Sequence, residues 1–243
     1  LKKALAMGID YVATGHYAKI EKGEDGKYIL RASEAVKKDQ SYVLYNFTQE
    51  QLAHTLMPLG GYNKDWVRQK AEELGLGVAH KPDSQEICFV EDDDYAKFIT
   101  DYSGYEPKEG DILDVNGNVI GKHRGLIYYT IGQRKGIGAY GRPMFVMKID
   151  AENNTITLGE KGMEFSNELT AYDVNFVSGE FPKENMLITA KVRYQAPPAA
   201  AMLCPQKDGT VKLMFPEPQR AVTPGQAVVF YDGDIVLGGG TVL

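Results

Sequence analysis

Pro82-Asp83-Ser84-Gln85-Glu86-Ile87-Cys88-Phe89-Val90 separates two textures of chain, and its reading decides the fold. A polar turn runs straight into a short apolar strand that carries one of the two cysteines. Upstream, short apolar strands alternate with helical stretches; downstream, strands come to dominate. Cys88 admits two readings. A thiol at a loop-to-strand junction, with donors and acceptors just before it, can be tuned toward the thiolate that attacks or carries sulfur. Free cysteine is also among the most buried residue types, a small hydrophobe in a core strand.

Upstream of this stretch, Leu1, Ala4 and Leu5 read as a helix stopped at Gly8, and Tyr11-Val12-Ala13 as a strand ending in Thr14-Gly15-His16-Tyr17. The run from Ala18 to Ala32 spells a hairpin turned at Gly23-Glu24-Asp25-Gly26. Thr48-Gln49-Glu50-Gln51 has capping-box spacing, predicting a helix that Pro58 and Gly60 end. Asn63 to Leu74 puts Val67, Ala71 and Leu74 on one helical face before Gly75. This alternation predicts part of a three-layer α/β sheet. Because Leu1 already lies in a helical pattern, the chain is expected to be the C-terminal part of something longer.

Downstream, Asp92-Asp93-Asp94 precedes a helix with Tyr95, Phe98, Ile99 and Tyr102 in register. The acidic run suits a helix start better than a metal site, and no tightly bound metal is expected. Asn116-Gly117 predicts a type I′ hairpin turn between Gly110–Val115 and Asn118–Gly121. Met144–Ile149 and Thr155–Leu158 read as a second hairpin. From Leu169 only strand signals remain, spaced about ten residues apart, the pattern of a small β-barrel. The expected divisions are 1–90, 91–164 and 165–243.

At 43% hydrophobic and 25% charged, the 243 residues suit a soluble globular chain. No run approaches the roughly 18 apolar residues a membrane helix needs, so the cytoplasm is the expected compartment and no membrane partner is expected. Two cysteines cannot build a disulfide framework. A net charge of −6 opposes indiscriminate nucleic-acid binding and leaves room for a local basic patch.

Four further stretches could carry binding. Gly125–Gly138 sets Arg134 and Lys135 between glycines that would let backbone approach a phosphate; it reads equally as a flexible solvated loop. Gly15 and His16 follow a strand, where α/β sheets gather their sites, though a strand-end histidine is often structural. Lys38-Asp39-Gln40 could meet phosphate and base edges or cap a helix. Arg193-Tyr194-Gln195 offers a cation beside a stacking ring, or an exposed barrel edge.

Taken in order, Ala13-Thr14-Gly15-His16-Tyr17-Ala18, Lys38-Asp39-Gln40-Ser41-Tyr42, Pro82 to Phe89, Gly125 to Gly138, Arg193-Tyr194-Gln195 and Pro224-Gly225-Gln226-Ala227-Val228 resemble the tRNA-specific 2-thiouridylases of the MnmA type. The blocks span nearly the whole chain. The resemblance implies an adenine-nucleotide α-hydrolase-like (PP-loop) α/β remainder, a small mixed central domain and a C-terminal β-barrel. It implies ATP, with Mg2+ accompanying it, as the agent that adenylates the 2-oxygen of the wobble uridine in the tRNA anticodon. Sulfur then displaces AMP.

By resemblance Cys88 carries the persulfide, Gly15 touches ATP, and His16, Lys38, Asp39, Gln40, Arg193, Tyr194 and Gln226 touch tRNA. Arg134 and Lys135 join them on their charge and loop. A sulfur-relay protein or cysteine desulfurase is the implied donor. The family's Ser-Gly-Gly-x-Asp-Ser phosphate loop and partner cysteine are not in this sequence, so the chain alone is expected to be inactive. A tRNA-binding fragment without catalysis is the alternative. Cys204, followed by Pro205, matches no family cysteine and reads as structural, protected in a barrel strand.

Overall fold

The computed structural model describes residues 1–35, 38–77, 79, 90 and 94–243. Cys88 and the strand expected around it lie outside the described residues, as do Asp92 and Asp93. Contacts divide the chain into two compact units. One comprises Leu1–Lys81, Asn167–Gln219 and Thr223–Leu243; the other comprises Pro82–Ser166 and Arg220–Val222.

The first unit opens with α1 (Lys2–Ala6), then β1 (Val12–Ala13), β2 (Ala18–Lys22), β3 (Tyr28–Ala32) and a 3-10 turn at Ser41–Leu44. There follow α2 (Gln49–Ala53), β4 (Thr55–Leu56) and α3 (Lys64–Glu73). Thr48 makes the full capping box with Gln51, as its spacing predicts. The helix ends at Ala53, short of Pro58, because Thr55–Leu56 turns extended to pair in parallel with β1. Asn63 caps α3 through Trp66 N, but no side chain of α3 is buried and Leu74 is exposed.

The second unit holds α4 (Tyr95–Ser103), with Asp94 as its cap, and a four-stranded sheet in the order Val119–His123, Gly110–Leu113, Thr155–Glu160, Met144–Asp150. Its strands are β5 (Gly110–Leu113), β6 (Val119–His123), β7 (Met144–Asp150) and β8 (Thr155–Glu160). Ile112, Ile137, Met144, Val146, Ile156 and Leu158 form its core.

The β5–β6 turn differs from the type I′ expectation. Gly117 has φ 85°, but Asn116 does not enter the positive-φ region. Asp114 accounts for this: its Oδ1 accepts from Asn116 N and Asn118 N, and its carbonyl accepts from Gly117 N. That clasp favours an ordinary turn with a single left-handed glycine, and the register slips at Ile112/Leu113.

The remaining strands belong to the first unit's sheet: β9 (Phe165–Phe176), β10 (Met186–Lys191), β11 (Ala199–Pro205), β12 (Val211–Arg220), β13 (Ala227–Asp232) and β14 (Ile235–Val242). The order β13-β10-β11-β12-β9-β14 closes through β13–β14 into a six-stranded barrel. The β2–β3 hairpin adds to it through β3 and β14, with Ile235 opposite Arg31. Strand β13 is buried on both faces, which explains its unbroken apolar run. Phe230 packs toward Phe176, while Val229 and Tyr231 join Leu30, Tyr42, Leu44 and Leu52 in a second core.

Candidate functional site

The first unit gathers most of the residues singled out from the sequence. Two segments far apart in the chain are strapped together by a reciprocal pair: Gln40 N donates to Tyr17 O at 2.9 Å, and Tyr17 N donates to Gln40 Oε1 at 3.0 Å. His16, half-buried beside them, shares a 2.9 Å hydrogen bond between Nδ1 and Thr14 Oγ1. Among the described residues neither its Nε2 nor the Nε2 of Gln40 enters a hydrogen bond.

Asp39 is held firmly by its own loop. Its Oδ1 accepts from Ser33 N at 2.9 Å and Ser41 N at 3.2 Å, and its Oδ2 accepts from Ser41 Oγ at 2.8 Å. The carboxylate is committed to shaping the loop, and Lys38 and Gln40 stand on either side of it. The Asp39 carbonyl accepts from Tyr194 Oη at 3.2 Å, drawing the segment after β10 to this wall. Arg193 is half-buried there and Tyr194 is 43% exposed.

Tyr42 completes the wall. Its hydroxyl donates to Ala227 O at 2.6 Å, the residue after the exposed Gln226. Burial pushes this hydroxyl up to about 12, with Tyr45 adding to the effect, and burial raises that of Tyr231 as well. Lys191 lies over both the Tyr42 and Tyr194 rings. Sequence reading missed Lys191 and Tyr42 as parts of the site. Lys191 ends β10 and Arg193 lies two residues on, in the bend that follows it.

Gly15 ends the segment after β1, and it is exposed. A Cβ there would meet only Leu59 Cδ1, at 3.8 Å, so packing does not require glycine. Open space over a glycine at a strand end suits the close approach of a nucleotide. Among the described residues no cluster of three metal-ligating side chains forms.

Arg134 and Lys135 lie in the second unit, exposed at the tip of a loop whose base is well tied. Gln133 Oε1 accepts from Thr130 N, its Nε2 donates to Lys135 O, and its backbone bonds with Val146. Ile137, 4% exposed, anchors the far side in the core. Gly132, Gly136 and Gly138 all have positive φ, which only glycine adopts without strain. Behind the loop, His123 is fully buried and accepts from Gly125 N through Nδ1, so Nε2 carries the proton donated to Asn154 O.

An α/β portion, a small mixed sheet and a closed barrel therefore share one chain, with polar side chains gathered on the first unit. Three sequence families match in that order. They are described as "tRNA methyl transferase HUP domain" over residues 1–92, "tRNA methyl transferase PRC-barrel domain" over 96–160 and "Aminomethyltransferase beta-barrel domain" over 166–242. Individual relatives are closer. The tRNA-specific 2-thiouridylase MnmA of Acetivibrio thermocellus is 59% identical over 244 residues, covering 100% of this chain and 68% of its own. Those of Clostridioides difficile and Clostridium botulinum (strain Alaska E43) are 55% and 52% identical, each covered over 67% of its length. The chain belongs to the MnmA family of tRNA-specific 2-thiouridylases, and it spans about two thirds of these relatives' length.

Proposed function

We propose that this chain belongs to a tRNA-uridine 2-sulfurtransferase that works in tRNA 2-thiolation. The observation that carries the reading is the 59% identity to a named 2-thiouridylase across 100% of the chain. Two of the three family descriptions and the relatives' names agree on tRNA, and they differ on the group moved. Cys88 favours sulfur, because a thiol can carry a sulfane sulfur as a persulfide.

In the proposed reaction the uracil 2-oxygen attacks the α-phosphorus of ATP and pyrophosphate leaves. The terminal sulfur of the Cys88 persulfide then attacks C2, and AMP departs with the bonding electrons. A partner cysteine thiolate attacks the Cys88 sulfur, breaking the S–S bond, so that 2-thiouridine leaves and Cys88 ends in a disulfide. Gly15 lies against the nucleotide, and Mg2+ accompanies ATP. Residues 1–90 serve the ATP-using step, while 91–164 and 165–243 hold tRNA. His16, Lys38, Asp39, Gln40, Arg193, Tyr194 and Gln226 contact the RNA from one unit, and Arg134 and Lys135 from the other. A cysteine desulfurase or sulfur-relay protein loads Cys88.

The test is nucleoside analysis of tRNA from cells in which the encoding gene is deleted. The wobble 2-thiouridine derivatives should vanish, return with the native gene and stay absent with Cys88→Ser. Retention of 2-thiouridine in the deletion strain would refute the reading.

A further inference from the structure

Lys191 closes β10, and its Nζ stands 5.6 Å from the Tyr42 ring centroid and 5.7 Å from that of Tyr194. The two rings meet edge to face, with centroids 5.7 Å apart and planes at 66°. Neither ring is loose. Tyr42 is tied by its hydroxyl to Ala227 O and Tyr194 by its hydroxyl to Asp39 O. A lysine stem is costly to order, and fixed rings on two sides restrict it before any ligand arrives.

What holds this ammonium is aromatic surface. Among the described residues no carboxylate pairs with Lys191, whereas Lys19, Lys27, Lys70, Lys122, Lys148 and Lys212 each pair with an acid. The acid on the adjoining segment, Asp39, spends both oxygens on Ser33 and Ser41. Lys191 therefore keeps its charge and N–H donors for an anion, beside a second cation, Arg193, and a half-exposed ring.

We propose that Lys191 is a phosphate-binding residue, taking a phosphodiester of the RNA backbone whose neighbouring nucleotide lies against Arg193 and Tyr194. The inference rests on the reading of the chain as a tRNA-binding protein. Its chemistry is that of single-stranded nucleic acid, in which aromatic rings take bases and adjacent cations take phosphates. Tyr194 supplies the stacking surface and Lys191 the charge next to it.

The test is the salt dependence of binding to an unmodified tRNA transcript, measured on this chain, Lys191→Met and Lys191→Arg. Methionine keeps an unbranched stem between the rings and removes the charge. Losing one phosphate contact should flatten the log–log slope by about 0.7 to 0.9 and weaken binding about five- to eightfold at ~0.1 M salt. Arginine should keep the native slope. Should Lys191→Met melt early, Lys191→Gln provides the same charge loss. An unchanged slope in the uncharged variants, even with weaker binding, makes Lys191 a brace for Tyr194 and overturns the inference while the tRNA reading stands. Absence of salt-dependent tRNA binding by the unaltered chain overturns both.

Discussion

A methyl group added at Gly60 would sit 2.0 Å from the carbonyl oxygen of Ala18 and 2.7 Å from its carbon, positions no side-chain adjustment can relieve. The same glycine's carbonyl accepts from Ser33 Oγ and Glu34 N, so the contact ties the loop before α3 to the hairpin that follows His16 and Tyr17. Gly60→Ala should cost about 1–3 kcal/mol, as overpacking does. At about 2–4 °C per kcal/mol for a chain this size, a thermal melt resolves that, and an unchanged midpoint would disprove the close approach. Tyr42 gives a pH dependence. The unfolded phenol ionises near 10, whereas the folded one is pushed up to about 12 by burial. Between these values the unfolded chain loses a proton that the folded chain keeps. The stabilisation is thus fully present below pH 10 and lost as pH rises toward 12. Tyr42→Phe should flatten the fall in stability over that window, read by denaturant titration at several alkaline pH values; an identical fall would place Tyr42 in contact with water.

His123 does at the level of an element what Gly60 does at a residue: it joins the β5–β6 hairpin to the glycine-rich loop. With Nδ1 accepting from Gly125 and Nε2 donating to Asn154 O, replacement by alanine strands a buried donor and leaves a cavity. The expected loss is about 2–4 kcal/mol, with the Arg134–Lys135 loop exchanging its amide hydrogens faster. Unaltered exchange at Gly132 to Lys135 would uncouple His123 from the loop. Elements governed by local chemistry were legible in the sequence, as the Thr48 capping box and the barrel strands with their turns demonstrate. Where longer-range or side-chain terms prevail, the reading slipped. Parallel pairing with β1 shortened α2, Asp114 changed the Asn116-Gly117 turn, and the apolar periodicity of α3 and α4 brought no buried side chain.

At the scale of the whole molecule, pairing between distant segments assembles the site, and local sequence patterns contain no trace of that pairing. His16, Asp39–Gln40 and Tyr194 were each legible as a polar motif; that Gln40 grips Tyr17 and Asp39 receives Tyr194 follows from the fold alone. The barrel also corrects the expectation for Cys204. Strand β11 turns Ala201 and Leu203 inward, so Met202 and Cys204 face outward, and Cys204, opposite Lys212, is partly exposed rather than protected. Exposure alone therefore does not distinguish the carrier thiol, and native alkylation should modify Cys204 without denaturant. The discriminating property is acceptance of sulfur. Transfer requires a thiolate to attack the terminal sulfur of a donor persulfide, releasing the donor cysteine as thiolate, with no net oxidation. Incubating the chain with a cysteine desulfurase and free cysteine, then mapping peptides by mass, should place the added sulfur on Cys88 in both the native and Cys204→Ser chains. Cys88→Ser should carry none, although its Cys204 still alkylates. Sulfur found on Cys204 in the Cys88→Ser chain, at the native yield, would show that loading follows exposure and would remove Cys88 from the carrier role.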